Sequence, residues 1–178
     1  MSLAESLLGV LAFRAWLDWH IGHFGPVMAV SRPIAVTLPA SGLAFAESIH
    51  GPRFRMAERA DAFHKLIYVL QGGLNLSAAG PSRPLHAAAG AVLCVGAGVR
   101  HRIADTAPST LLLLGIAPGW LARDPELGRL WTRLLGDRPA VVRPGGAGGP
   151  RFEGWWRAGI VEQAGSQPGR EVALRAAA

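Results

Sequence analysis

The sequence predicts a mainly β protein, an antiparallel barrel or sandwich followed by C-terminal α-helices, and three observations carry that expectation. Between Ile34 and Ile116 the apolar residues fall in short runs punctuated by Gly and Pro, the pattern of an all-β domain. After Pro118 the apolar period becomes helical. The length of 178 residues suffices for one core plus a short appendage, and a hydrophobic share of 50% excludes a disordered chain.

Residues 1–30 are read as a helical extension, 31–118 as the barrel and 119–178 as a helical dimerisation and linker segment. In the first 27 residues Leu7, Leu8, Leu11, Ala15, Trp16 and Trp19 recur at helical spacing. Arg14 and Asp18 interrupt this run and no basic segment precedes it, which argues against a signal peptide and a membrane span. His20 and His23 stand three apart, but no third metal ligand follows within a turn.

Seven strand candidates come next: Ile34–Leu38, Gly42–Ala46, Phe63–Leu70, Gly73–Ser77, Ala91–Val95, His101–Ile103 and Thr110–Ile116. Gln71-Gly72-Gly73 reads as a hairpin turn and Ala79-Gly80-Pro81-Ser82 as another, because Gly takes positive φ at little cost. Gly96-Ala97-Gly98 turns the chain just before His101 and places that side chain at the barrel mouth. Asp124-Pro125-Glu126 is a helix start, with a capping carboxylate and Pro in the first turn. Leu127, Leu130, Trp131, Leu134 and Leu135 then form one apolar stripe. A Pro/Gly-rich linker from Pro139 to Pro150 leads to a second stripe at Phe152, Trp155, Trp156 and Ile160, and the last ten residues begin a further helix.

The formal charge of +6 comes from seventeen Arg and one Lys, spread along the chain without a dense basic run. Abundant Ala, Gly, Arg and Pro is what a GC-rich coding sequence gives, so this charge is weak evidence for nucleic-acid binding. The lone cysteine, Cys94, sits in the apolar run Ala91–Val95. It has no internal disulfide partner, which favours the cytoplasm, and burial without a cationic neighbour keeps the thiol inert.

The stretch from Phe63 to Asp105 resembles the two signature blocks of the cupin superfamily, small jelly-roll β-barrels. In the second block Gly90, Gly98 and His101 match, Gly96 stands for the proline and Asp105 for the asparagine. In the first block only the closing Gly72 remains. Lys65 occupies the position of the metal-binding Glu, and the two His positions fall on Arg59 and Asp61, or on Glu58 and Ala60 at the longer spacing. The resemblance therefore implies a cupin-like barrel without a metal or other cofactor. A divalent ion needs three or four His or oxygen ligands, and an ammonium at that point repels it.

A barrel followed by amphipathic helices also resembles the N-terminal sensory half of AraC-type transcription regulators. That likeness implies a small-molecule effector in the barrel, a homodimer paired through the helices, and DNA contact only through a helix-turn-helix region not present in this chain. The ligand-binding candidates are Arg59, Lys65, His101 and His64. His64 and Lys65 are neighbours on a strand and alternation sends them to opposite faces. The family spacing selects Lys65 for the interior, leaving His64 to the helices or solvent. Arg53, Arg55 and Arg59 share parity and would share a strand face, most often a solvated one. His50 and His86 sit beside turns and are expected to be exposed. Leu127, Leu130, Trp131 and Leu134 are the candidate dimer interface. The alternative is a stand-alone cupin enzyme, an isomerase or dioxygenase using His101, and metal content separates the two.

Overall fold

The computed structural model describes residues 30–31, 37–80, 83–135, 138–145, 148–166 and 169–177. The helix expected in the first 27 residues, with His20 and His23, lies outside them, as does most of the candidate strand Ile34–Leu38. Eight strands and four helices are described. The strands are β1 (Val30–Ser31), β2 (Leu43–His50), β3 (Arg55–Met56), β4 (His64–Ala78), β5 (Leu85–Ala88), β6 (Val92–Val95), β7 (His101–Ile116) and β8 (Ala140–Val142). The helices are α1 (Pro118–Leu121), α2 (Pro125–Leu135), α3 (Gly148–Ala164) and α4 (Arg170–Ala177).

Two long strands organise a single, mainly antiparallel sheet. β4 and β7 pair along nearly their whole length, from His64 with Ile116 to Ala78 with His101. The start of β4 and the end of β7 are flanked by β6 and β2, and the end of β4 and the start of β7 by β5 and β3. Both strands bend in the middle, so the halves fold over one another as a jelly-roll-like barrel. Ile67, Val69, Leu74, Leu76, Leu93, Val95, Ile103 and Leu111 fill the space between them.

The bend corrects one expectation. Gln71-Gly72-Gly73 is an irregularity inside one continuous strand, not a hairpin between two, and His101–Ile103 and Thr110–Ile116 likewise belong to one strand. A positive-φ glycine serves a turn and a bulge equally well, and Gly72 has φ 78°. What decides between them is β7 running alongside. Val69 pairs with Leu111 and Leu74 with Asp105, so β4 advances one residue less than β7. That offset flips the inward parity of β4 from 65, 67 and 69 to 74 and 76, which keeps apolar side chains inside on both halves.

A second core lies outside the barrel. Leu43, Phe45, Tyr68, Leu112 and Leu114 face Trp156 of α3 and Leu174 of α4, and each large side chain fully buried there contributes roughly 2 kcal/mol. Gly159 lets α3 lie against the Phe45 ring, since a Cβ there would come within 2.6 Å of it. Gln163 then completes the open edge of β2. Its Oε1 accepts from Phe45 N at 2.8 Å and its Nε2 donates to Phe45 O at 3.1 Å, covering the unpaired backbone of an edge strand. The expected linker 139–150 is also not all linker, because β8 pairs with β6 in the barrel sheet.

The start of α2 is built as the sequence suggests. Asp124 Oδ1 accepts from the N–H groups of Glu126 and Leu127 at 2.9 and 3.1 Å, and Pro125 follows it. Among the described residues no helix is long and apolar enough to cross a membrane.

Candidate functional site

Alternation along β4 sends Lys65 into the barrel with Ile67 and Val69, and the turn after β6 delivers His101 as the first residue of β7. The backbone of Arg59 pairs with that of His101 through two hydrogen bonds of 2.9 Å. Gly98 N–H donates to Asp61 O at 2.7 Å, which fixes the loop carrying Arg59 and Asp61 over the barrel mouth. Four polar side chains thus meet in the interior.

Lys65 Nζ lies 2.6 Å from Asp61 Oδ2 and donates to His101 Nε2 at 2.7 Å. His101 Nδ1–H donates to Val99 O at 2.8 Å, which sets the ring tautomer. Arg59 pairs with Asp61, and Asp61, Lys65 and His101 are all buried. Burial drives the Lys65 ammonium down to about 8 against the attraction of Asp61. Burial and the Lys65 charge take His101 down to about 4, so its imidazole is neutral. For Asp61, burial alone would push the carboxyl up, but Lys65 and Arg59 together hold it below the usual range.

A divalent metal does not fit this set. The ammonium occupies the direction along which His101 Nε2 would ligate, Nδ1 is committed to a carbonyl, and one carboxylate already serves two cations. The positive charges would repel the ion, and among the described residues no third ligand converges. Among the described residues no group of three His, Cys, Asp or Glu side chains is disposed to hold a metal ion.

Arg59, Lys65 and His101 therefore come together, and His64 does not join them. It stands on the outer face of the barrel against α2, its Nδ1 accepting from Ala97 N at 3.0 Å and from Trp131 Nε1 at 3.1 Å. Arg53, Arg55 and Arg59 do not share a face. Arg53 is exposed in a turn at φ 66° and Arg55 is exposed, whereas Arg59 turns inward onto Asp61. Asp61 is the member the sequence reading passed over. Its place at one of the vanished His positions was the available signal.

His50 is a second correction, since it is buried while His86 is exposed as expected. The inward face of β2 carries Ser48 and His50. His50 Nε2 lies 2.9 Å from Ser48 Oγ and its Nδ1 lies 2.8 Å from Asp105 Oδ2, which Ser109 Oγ also approaches. The order of these groups is that of a Ser–His–Asp relay, but Ser48 is only 3% exposed, so its hydroxyl is buried in this arrangement. The network instead satisfies polar groups where β2 meets the bend of β7. Serine and histidine two apart on a strand are one-face neighbours, and only the chain turn beyond His50 suggested exposure. Cys94 is buried in β6, and burial raises its thiol to about 12.

No family profile and no curated protein matches the sequence. Solved structures do resemble it. A cupin superfamily protein from Desulfitobacterium hafniense DCB-2 is 17% identical with a TM-score of 0.41, over 47% of this chain and 74% of that one. An RmlC-like cupin from Shewanella frigidimarina NCIMB 400 is 16% identical with a TM-score of 0.39, over 43% and 67%. KdgF from Halomonas sp. is 14% identical with a TM-score of 0.40, over 43% and 71%.

Proposed function

We propose that this chain is a metal-free sensory barrel, of the kind that the resemblance to AraC-type regulators implies, which holds a small anionic effector at Arg59, Lys65 and His101. The observation that carries the reading is a charge imbalance. Among the described residues Arg59 and Lys65 share the single carboxylate of Asp61, and His101 adds no negative charge. Arg59 Nε is also buried without a hydrogen-bond partner among the described residues. An excess cation in a dry interior is costly. It is relieved either by Lys65 losing its proton or by an anion whose oxygens accept from the guanidinium and the ammonium.

The engaged nitrogens of His101 speak against the alternative of an isomerase or dioxygenase built on that residue. In the proposed assembly two copies pair through α2, where Leu127, Leu130 and Leu134 are exposed. DNA contact belongs to a helix-turn-helix region and not to the barrel.

Isothermal titration with small carboxylates and phosphate esters tests the site. Binding is expected at neutral pH and weakens toward about pH 9, as Lys65 loses its proton. Lys65→Met and Arg59→Gln each weaken it at least about tenfold by removing a charge-assisted bond. Binding that is equal in the parent and both variants overturns the assignment.

A further inference from the structure

The cleft between barrel and α2 is a separate feature that the buried cluster does not use. It is half open, has a volume of about 340 Å³ and is lined by His64, by Gly96, Ala97 and Val99 of the turn between β6 and β7, by Trp131, Thr132 and Leu135 of α2, and by Arg138. That volume is at the lower end of small-molecule sites.

We propose that this cleft is a binding site for a small aromatic carboxylate, with Arg138 and His64 taking the carboxylate and Trp131 the ring. Charge gives the first argument. Among the described residues the lining holds one guanidinium and no carboxylate, and no acidic side chain there pairs with Arg138. The second argument is the tautomer of His64. Nδ1 accepts two N–H groups, from Ala97 and Trp131, so it carries no proton and the ring proton sits on Nε2. Burial lowers the pKa of His64 and keeps it neutral. The Nε2–H is a donor for which no partner exists among the described residues, on a ring that lines the cleft. The third argument is shape. The hydrogen bond to His64 fixes the indole of Trp131, and Leu135 and Val99 extend an apolar wall beside it. A planar apolar body with one anionic end matches all three.

Such a site would report on the interior through a shared turn. Ala97 N–H donates to His64 on the cleft side, while Gly98 N–H holds Asp61 O and Val99 O receives His101 Nδ1–H on the barrel side. A guest in the cleft also bridges α2 to the barrel. The proposal stands without the anion site in the interior, since the two use different residues.

The test uses the full chain with benzoate, 1-naphthoate and indole-3-acetate as probes, followed by NMR at the Ala97 amide and the Trp131 indole N–H. At least one probe should shift both resonances saturably at millimolar concentration. Arg138→Gln, at an exposed position, should weaken that binding about tenfold, the value of one charge-assisted hydrogen bond. Thr132→Trp, also at an exposed position, should abolish it by filling the cleft. Lys65→Met tells the two sites apart, because a probe lost with Lys65 and kept with Arg138→Gln sits in the barrel interior and overturns the cleft. Absence of any saturable shift overturns it too, as does binding indifferent to both Arg138→Gln and Thr132→Trp.

Discussion

His101 and Lys65 both have pKa values depressed by burial, and each makes folding less favourable as pH falls through its own window. An unfolded chain takes up a proton on His101 near its ordinary 6.5, whereas the folded chain refuses it until about 4. Across that window the unfolded state binds more protons, so stability falls as pH drops, by on the order of 3 kcal/mol. His64, shifted in the same direction by its own burial, adds to the loss. For Lys65 the window lies between about 8 and the ordinary 10.5, where the unfolded chain keeps the proton and the folded chain sheds it. Stability therefore rises with pH there. Urea midpoints measured across the acid window should fall steeply in the parent and more gently in His101→Gln. Lys65→Met should lose the alkaline rise. Slopes that survive both substitutions would mean the cluster is open to solvent. The meeting of Lys65 and His101 was readable from strand parity and block spacing. Block spacing marked the position of Asp61 but not its contacts, because it lies in a loop whose path is set by the Gly98 and Arg59 backbone bonds, contacts far apart in sequence.

At the scale of elements, the bend of β4 turns on one glycine. A Cβ on Gly72 would stand 2.2 Å from Pro108 O, and the backbone there has φ 78°. Gly90 has a similar φ of 83° but open space around its Cβ position. Gly72→Ala should thus cost more than about 3 kcal/mol, through strain plus collision with backbone, and Gly90→Ala only about 1 kcal/mol through strain alone. Chemical denaturation of the two variants checks the contrast, and equal losses would show that the bend relaxes. The same glycine explains where sequence reading stopped. Phe63 to Leu70 and Gly73 to Ser77 are clear strand patterns, but only pairing with β7 shows that they are one strand. β5 and β8 were missed for a different reason. Leu85-His86-Ala87-Ala88 has no β-branched residue, and Ala140-Val141-Val142 is short and lies in a Pro/Gly-rich stretch, so neither carries a local signal. Tertiary pairing alone makes them strands.

For the whole molecule, α2 offers two apolar faces that the helical stripe had merged into one. Trp131 and Leu135 turn to the barrel, where Trp131 meets His64 edge-on at 5.0 Å, and Trp131 is thus committed to its own chain. Leu127, Leu130 and Leu134 face out with 38%, 54% and 40% of their surface exposed, and α2 buries none of its residues. Three leucines at this spacing form a continuous apolar ridge, the kind of patch that marks an interface. A second copy is the partner we expect, because one ridge packed against its two-fold mate covers both at once. Leu130→Glu with Leu134→Glu should leave the fold intact, since neither side chain belongs to a core within one chain. In sedimentation velocity the parent should run as a dimer and the double variant as a monomer, because two unpaired carboxylates in such a seam cost several kcal/mol. Unfolding of the variant, or a parent already monomeric at high concentration, would refute pairing through this ridge. The cleft beside Trp131 sharpens the expectation. A ligand that ties α2 to the turn at Ala97 should tighten the dimer, and benzoate-dependent sedimentation of the parent would reveal that coupling as a shift toward the faster species.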